Sequence, residues 1–284
     1  MKKMKKMVPV ENMVCGSQSN EFFTNLKIFN DIDINNLNDP ICILGAPGVA
    51  DIGKIALDHL TKVLKAEKIL DITFSDYPAG AIINDSILYA PTAEVYFYKD
   101  PLQRNDIFLV TADAQPMSPR GIYAISEFIA KLMAKYHVNL ILTLGGYPIE
   151  RPNKDTIIYI TATSKELIDK FAKNEWVQTI NKGVVVGING LVPTIAKRNF
   201  EIDGMVLLAE TNGYAAMNGD SYDLKASLRL IEVLNQELTL AIDAEFSHEQ
   251  IMGMEVKLND EKETIKRDLG LNSNTEKTSF EYIC

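Results

Sequence analysis

Ile41-Cys42-Ile43-Leu44-Gly45-Ala46-Pro47-Gly48-Val49-Ala50-Asp51-Ile52-Gly53-Lys54 reads as strand, turn and helix in immediate succession. An apolar run ends in Gly-Pro-Gly. Ile52, Ile55, Ala56, Leu60, Val63 and Leu64 then recur at helical spacing. Asp51 stands where an N-cap belongs, and Asp is a preferred N-cap residue. The turn also nearly spells a phosphate loop, because Gly48 to Lys54 fits GxxxxGK. The next residue, however, is Ile55, where a phosphate loop needs Ser or Thr to hold magnesium. Asp51 adds negative charge where phosphates would lie. The alternative role for the glycines is a sharp turn and a close helix–sheet approach.

Outward from this unit the chain alternates strands and helices. Phe22–Phe29 reads as an edge strand, and Asp31–Asp39 as a turn-rich connection. Ile69–Phe74 is the next strand. Ser86–Tyr89 and Ala93–Tyr98, joined through Pro91, suggest a hairpin. Asp106–Ala112 is a buried strand, and Ser118-Pro119 opens a helix as N-cap and first residue. Val138–Leu144 follows, closed by Gly145-Gly146. Ile157–Thr161 leads into Thr163-Ser164-Lys165-Glu166, a capping-box pattern for a helix from Ser164 to about Lys173. Gly183–Ile188 reads as a strand, Thr194–Arg198 as a short helix, and Met205–Leu208 as a strand. Leu224, Leu228, Ile231, Leu234, Leu238 and Ile242 mark a long amphipathic helix. This alternation predicts an α/β fold with a mostly parallel sheet. The expected organisation is a loose arm over residues 1–22, a core over 23–244, and an acidic, partly helical or flexible tail over 245–284.

The 284 residues carry 46% hydrophobic and 24% charged side chains and a net charge of −9. That charge argues against a general nucleic-acid or anionic-membrane binder. No apolar run reaches the length of a membrane span. The basic start, Met1 to Met7, lacks the apolar stretch of a signal peptide, so a cytoplasmic protein is expected. Cys15, Cys42 and Cys284 share no metal spacing, and no metal or cofactor is expected. His59, His137 and His248 are dispersed. No nucleophile elbow occurs, and Trp176 with the scattered tyrosines forms no stacking platform among basic neighbours.

Ligands of open α/β sheets lie beyond the carboxyl ends of the strands. Here those ends carry Asp51, Asp113, Gln115, Gly145-Gly146, Asn189 and Glu210. The three carboxylates form a possible crevice set for acid–base chemistry. Alternatively, Asp51 caps a helix, the glycines turn the chain and Glu210 holds backbone amides. A hydrolase or nucleosidase-like enzyme and a small-molecule-binding regulator are therefore the alternatives to a pure binding protein.

Leu44-Gly45-Ala46-Pro47-Gly48 with Gly53, Asp113-Ala114-Gln115-Pro116, Thr143-Leu144-Gly145-Gly146-Tyr147 and Gly187-Ile188-Asn189-Gly190-Leu191, continuing to Leu208-Ala209-Glu210-Thr211-Asn212-Gly213-Tyr214, together resemble the proteasome assembly chaperone family. The group in question is the archaeal and eukaryotic one related to the second assembly chaperone, some of whose members carry an older ATP-grasp-like label. The likeness spans about Ile41 to Asp243. It implies a three-layer α/β/α fold similar to purine nucleoside phosphorylases and hydrolases. It further implies a homo-oligomer that binds proteasome α-type subunits without ATP. Ala50 stands where the family usually has glycine. Archaeal relatives often end in hydrophobic-Tyr-any residue, which docks between α subunits. This chain ends Phe280-Glu281-Tyr282-Ile283-Cys284, with Tyr282 third from the end, so Phe280, Tyr282, Ile283 and Cys284 are the partner-binding candidates that the resemblance implies.

Overall fold

A computed structural model describes residues 22–84, 86–213, 222–240 and 242. The expected N-terminal arm, apart from Phe22, and the acidic tail with Phe280, Tyr282, Ile283 and Cys284 lie outside the described residues.

The strands are β1 (Thr24–Ile28), β2 (Ile41–Gly45), β3 (Glu67–Phe74), β4 (Ile82–Asn84), β5 (Ile87–Tyr89), β6 (Ala93–Tyr98), β7 (Ile107–Ala112), β8 (Leu140–Ile149), β9 (Ile158–Ala162), β10 (Val177–Thr179) and β11 (Asp203–Asn212). The helices are α1 (Ile52–Val63), α2 (Pro119–Lys135), α3 (Lys165–Phe171), α4 (Ile188–Phe200) and α5 (Leu224–Leu238). Nine strands form one sheet in the order β1-β3-β6-β7-β2-β8-β11-β9-β10. Its centre, β7-β2-β8-β11, is parallel throughout. The β1-β3-β6 flank and the β11–β9 junction are antiparallel. The α/β class read from the sequence is the one observed.

Burial explains why the central strands read as unbroken apolar runs. Every residue of β2 and of β7 is buried, because helices cover both faces. Ile41 and Ile43 face one core, with Leu57 and Leu60 of α1, Phe171 of α3 and Leu230 of α5. Cys42 and Leu44 face the other, with Ile125, Ile129 and Met133 of α2 and Val192 of α4. Cys42 is fully buried, and that burial pushes its thiol far above the usual range, so it is an inert core residue.

Close approach, not phosphate, explains the glycines after β2. A Cβ on Gly53 meets the Leu144 carbonyl oxygen at 2.1 Å, and one on Gly45 meets that of Gly53 at 2.2 Å. Helix α1 therefore rests directly on the backbone of β2 and β8. The turn between them winds through left-handed backbone at Ala50 (φ 50°) and Asp51 (φ 49°), a conformation that favours glycine. Ala50 thus occupies a position where glycine is the relaxed choice. Asp51 makes no side-chain cap to α1. Its Oδ1 instead accepts from the Gly48 amide at 3.3 Å, closing the turn on itself.

Four local expectations are corrected. Residues 183–187 form no strand, and α4 begins at Ile188 and runs to Phe200, well beyond the short helix expected at 194–198. The left-handed Gly187 (φ +79°) starts the helix, and Val185 is folded against its first turn, where a Cβ on Gly190 would meet the Val185 carbonyl oxygen at 2.4 Å. Strand β5 pairs with β4, not with β6; β6 instead joins the main sheet between β3 and β7. Ser164 precedes α3 without a side-chain cap. Its neighbour Thr163 holds β11 instead, its hydroxyl donating to Asp203 at 3.1 Å and accepting from the Gly204 amide at 2.9 Å. Finally, the amphipathic run ends as a helix at Leu238, with Thr239 in left-handed backbone.

Pro193 lies inside α4 and has no N–H for the Asn189 carbonyl. The buried Thr143 hydroxyl of β8 donates to that carbonyl at 2.7 Å and replaces the missing bond. At the amino end of β7, Asp100 is only 3% exposed. It accepts from Arg104 Nε at 2.9 Å and Nη2 at 3.1 Å, and from the Leu102 and Arg104 amides. Arg104 foremost holds its carboxyl well below the usual carboxylate range.

The β2–β8 ladder stops at Gly45–Leu144, whereas β8 and β11 remain paired out to Ile149–Asn212. Because β9 pairs β11 only as far as Ala209, β8 and β11 continue beyond Gly146 as a two-stranded ribbon that overhangs the carboxyl end of the sheet.

Candidate functional site

A cavity of about 820 Å³ opens at that carboxyl end. The turn after β2, the ribbon of β8 and β11, the start of α2 and the start of α4 enclose it. Residues 180–187, which lead from the edge strand β10 back to α4, cross it as a strap. Its size falls in the range of small-molecule sites.

Of the crevice residues picked out from the sequence, Gln115, Asn189 and the glycine pair Gly145-Gly146 line this cavity. Gln115 follows β7 and ties two lips together. Its Nε2 donates to the Pro47 carbonyl at 2.7 Å, and its Oε1 lies where a Cβ on Gly187 would be 2.7 Å away. Asn189 lies in the first turn of α4 and donates through Nδ2 to the Leu144 carbonyl at 3.1 Å. Its Oδ1 is buried without a hydrogen-bond partner among the described residues.

The three carboxylates are not brought together there. Asp51 turns back to the Gly48 amide. Burial pushes its carboxyl above the usual range, opposed by that amide and by Lys54. Asp113 accepts from the Thr92 amide at 3.0 Å and anchors the start of β6. Glu210 is 1% exposed. It accepts from the Asn153 amide and from Asn153 Nδ2, both at 2.9 Å, pinning the β8–β9 connection. Among the described residues that line the cavity there is no Asp or Glu, and Lys182 is the one that carries a full charge. Lys54 pairs with Asp58 at 3.2 Å and donates to the Thr111 hydroxyl at 3.3 Å. The described lining is mostly apolar, with Gln115 and Asn189 among its polar members.

Other features were not read as site residues from the sequence. Tyr147 on β8 and Tyr159 on β9 pack ring to ring at 4.7 Å across β11. Val184 and Val186 of the strap are 88% and 82% exposed. The β4–β5 hairpin exposes Ile83, Ile87 and Leu88 by 71%, 68% and 66%. The signal available for the hairpin was adjacent apolar pairs, Ile82-Ile83 and Ile87-Leu88, which put apolar groups on both faces of a strand. Among the described residues no cluster of three or more His, Cys, Asp or Glu side chains could hold a metal. No described helix is long and apolar enough to cross a membrane.

The description of the PAC2 family matches residues 42–260. An uncharacterised protein of Methanocaldococcus jannaschii is 30% identical over 224 residues, covering 78% of this chain and 83% of its own. Among solved structures, Pyrococcus furiosus PbaB, described as an archaeal proteasome activator, superposes with a TM-score of 0.71 at 26% identity, covering 87% of this chain and 98% of its own. Pyrococcus furiosus PbaA, described as an archaeal homolog of proteasome-assembly chaperone, shares the fold with a TM-score of 0.64 at 24% identity, over 86% of this chain and 99% of its own.

Proposed function

The chain belongs to the PAC2 family, and from that premise we propose that it is a proteasome assembly chaperone-like binding protein. In this reading it acts in the cytoplasm as a homo-oligomer on proteasome α-type subunits, without ATP. The observation that carries the proposal is the likeness to PbaB over nearly the whole of both chains. Independence from ATP is supported by the turn after β2. Helix α1 fills the space against Leu144, Ile55 replaces the magnesium-binding hydroxyl, and Lys54 is engaged by Asp58. A binding role over an enzymatic one is supported by the separate structural duties of Asp51, Asp113 and Glu210. A small-molecule-binding regulator is the second reading, favoured by the cavity itself.

The partner contact is assigned to the terminus, through Phe280, Tyr282, Ile283 and Cys284. An aromatic and aliphatic end on a polar tether suits docking in a groove. The test is capture of purified proteasome α subunits by the full chain and by a chain lacking residues 270–284. Full-length binding with loss on truncation is expected. Tyr282→Ala alone should cost about 2 kcal/mol, as for a buried aromatic anchor. Absence of binding by the full chain refutes the proposal. Full-strength binding by the truncated chain places the contact on the folded core instead.

A further inference from the structure

The β4–β5 hairpin forms a two-stranded sheet of its own. Its pairing sets Ile83 opposite Leu88 on one face, and Ile82 opposite Tyr89 on the other, with Ile87 beyond. On that second face Ile82 is half-buried but Tyr89 and Ile87 are 37% and 68% exposed, and on the first Ile83 and Leu88 are 71% and 66% exposed. A hairpin resting one face on its own core ordinarily turns a polar face to water. An isolated two-stranded hairpin is also marginal in water without a further surface to pack on. This one leaves apolar groups in water on both faces, Ile83 and Leu88 on one and Ile87 on the other.

A receiving surface of the same chemistry lies at the same end of the molecule. Met117, just before α2, and Tyr123, on its second turn, are 53% and 59% exposed. Val184 and Val186 project from the strap, which lines the cavity together with Pro116 and Ile122 beside them. The hairpin emerges next to this floor. Asp76, shortly before β4, binds the α2 start, accepting from the Met117 amide and from the Ser118 amide and hydroxyl, all at 2.8–2.9 Å. An apolar arm rooted beside an apolar floor is self-complementary, which is what a two-fold interface between identical chains requires. Ile83, Leu88, Met117, Tyr123, Val184 and Val186 together expose roughly 800 Å², about the area each partner buries in a standard stable interface. A neutral contact also suits self-association of a chain with a net charge of −9, because it brings no like charges into the interface.

We propose that the β4–β5 hairpin is a self-association arm, its Ile83–Leu88 face seated on Tyr123, Val184 and Val186 of a second copy of this chain, with the exchange reciprocal across a two-fold axis. This rests on the homo-oligomer reading above and names the surface that makes it.

The test is sedimentation velocity on the full chain and three double variants, I83D/L88D and I83K/L88K in the arm and V184D/V186D in the floor. All four side chains are exposed, so circular dichroism and melting of the variants should match the parent. The parent is expected to associate. Each variant is expected to associate at least 100-fold more weakly. A mixture of I83K/L88K with V184D/V186D is expected to regain the complex, because opposite charges then meet across arm and floor. A parent that is monomeric at high micromolar concentration defeats the homo-oligomer reading itself, and the arm with it. An associated parent whose variants remain associated overturns the arm alone. Variants that stay associated but lose capture of α subunits also overturn it, and assign the surface to a partner protein.

Discussion

Replacing Gly53 with alanine sets two effects of opposite sign against each other. Alanine is a better helix former than glycine by about 1 kcal/mol, so intrinsic propensity favours Gly53→Ala. The added Cβ, however, would lie 2.1 Å from the Leu144 carbonyl oxygen and 2.8 Å from its carbon. Those are backbone atoms of a strand paired on both sides, with β2 and β11, so they have nowhere to go. Helix α1 must instead retreat by about 1 Å, loosening its contact with the sheet, and such overpacking costs roughly 1–3 kcal/mol or more. The full propensity gain is not realised at the second residue of a helix, so the clash wins. The expected net loss is about 2 kcal/mol, which for a core of this size lowers Tm by roughly 4–8 °C. Thermal melts followed by circular dichroism, with urea titration as a check, measure it. Gly80→Ala is the control, since a Cβ there meets nothing within 4 Å, and its Tm should hold or rise slightly. A Gly53→Ala protein that melts at or above the parent refutes the close-approach account and reopens a ligand role for the turn.

Further outcomes follow from other contacts. Thr143→Val removes the hydroxyl that serves the Asn189 carbonyl left unpaired by Pro193, and should cost about 1–3 kcal/mol in urea denaturation; an unchanged midpoint refutes the replacement bond. Asp100 has a depressed carboxyl pKa in the folded state, so the folded chain binds fewer protons than the unfolded one in acid. Its contribution to stability is present above about pH 4, the unfolded carboxylate value, and is lost as pH falls towards the folded value. Asp100→Asn should therefore flatten the acid limb of a stability–pH curve, and an unchanged slope sinks the assignment. Calorimetry with magnesium-ATP should show no binding heat. A low-micromolar Kd that Lys54→Ala abolishes overturns the ATP-independent reading.

The parallel centre was legible because burial on both faces leaves a one-dimensional signature. Asp106–Ala112 could hardly be anything but a covered strand, and Ser118-Pro119 announces α2 in local chemistry alone, with the Ser118 hydroxyl accepting from the Gly121 amide at 3.0 Å. What failed depended on neighbours that the sequence does not display. Gly183-Val184-Val185-Val186 has a strand's composition, but the chain there leaves the sheet edge at β10 and finds no ladder to join. β4 and β5 pair across a tight connection, whereas Pro91 had suggested a partner further on. The Thr163 and Ser164 pair satisfies the local rule for a capped helix, yet β11 competes for the Thr163 hydroxyl and wins. At the candidate site the strand-end positions of Asp51, Asp113 and Glu210 were readable, but their directions were not. Each side chain found a backbone amide closer than the crevice, and a carboxylate takes such an amide at little cost in geometry. Gln115 and Asn189 reach the cavity because each ties its own segment to a distant one, Gln115 to the turn after β2 and Asn189 to strand β8, a relation of distance in space and not in sequence.

The overhang of β8 and β11 divides the crevice into parts that move on different clocks. Past Leu144 β8 is held to β11 by ladder amides, alternate along each strand, that run to the Ile149–Asn212 pair. Such amides exchange with solvent only when a large cooperative unit opens. The facing strap, residues 180–187, has no ladder of its own and exposes Val184 and Val186 almost completely. Its amides belong to the fast end of the exchange spectrum, released by small local openings. The cavity is thus a slot with one fixed jaw and one compliant jaw. Any occupant that changes its width does so by displacing the strap, and deuterium uptake at 181–186, set against slow exchange at the ladder amides shared by β8 and β11, would record that displacement directly.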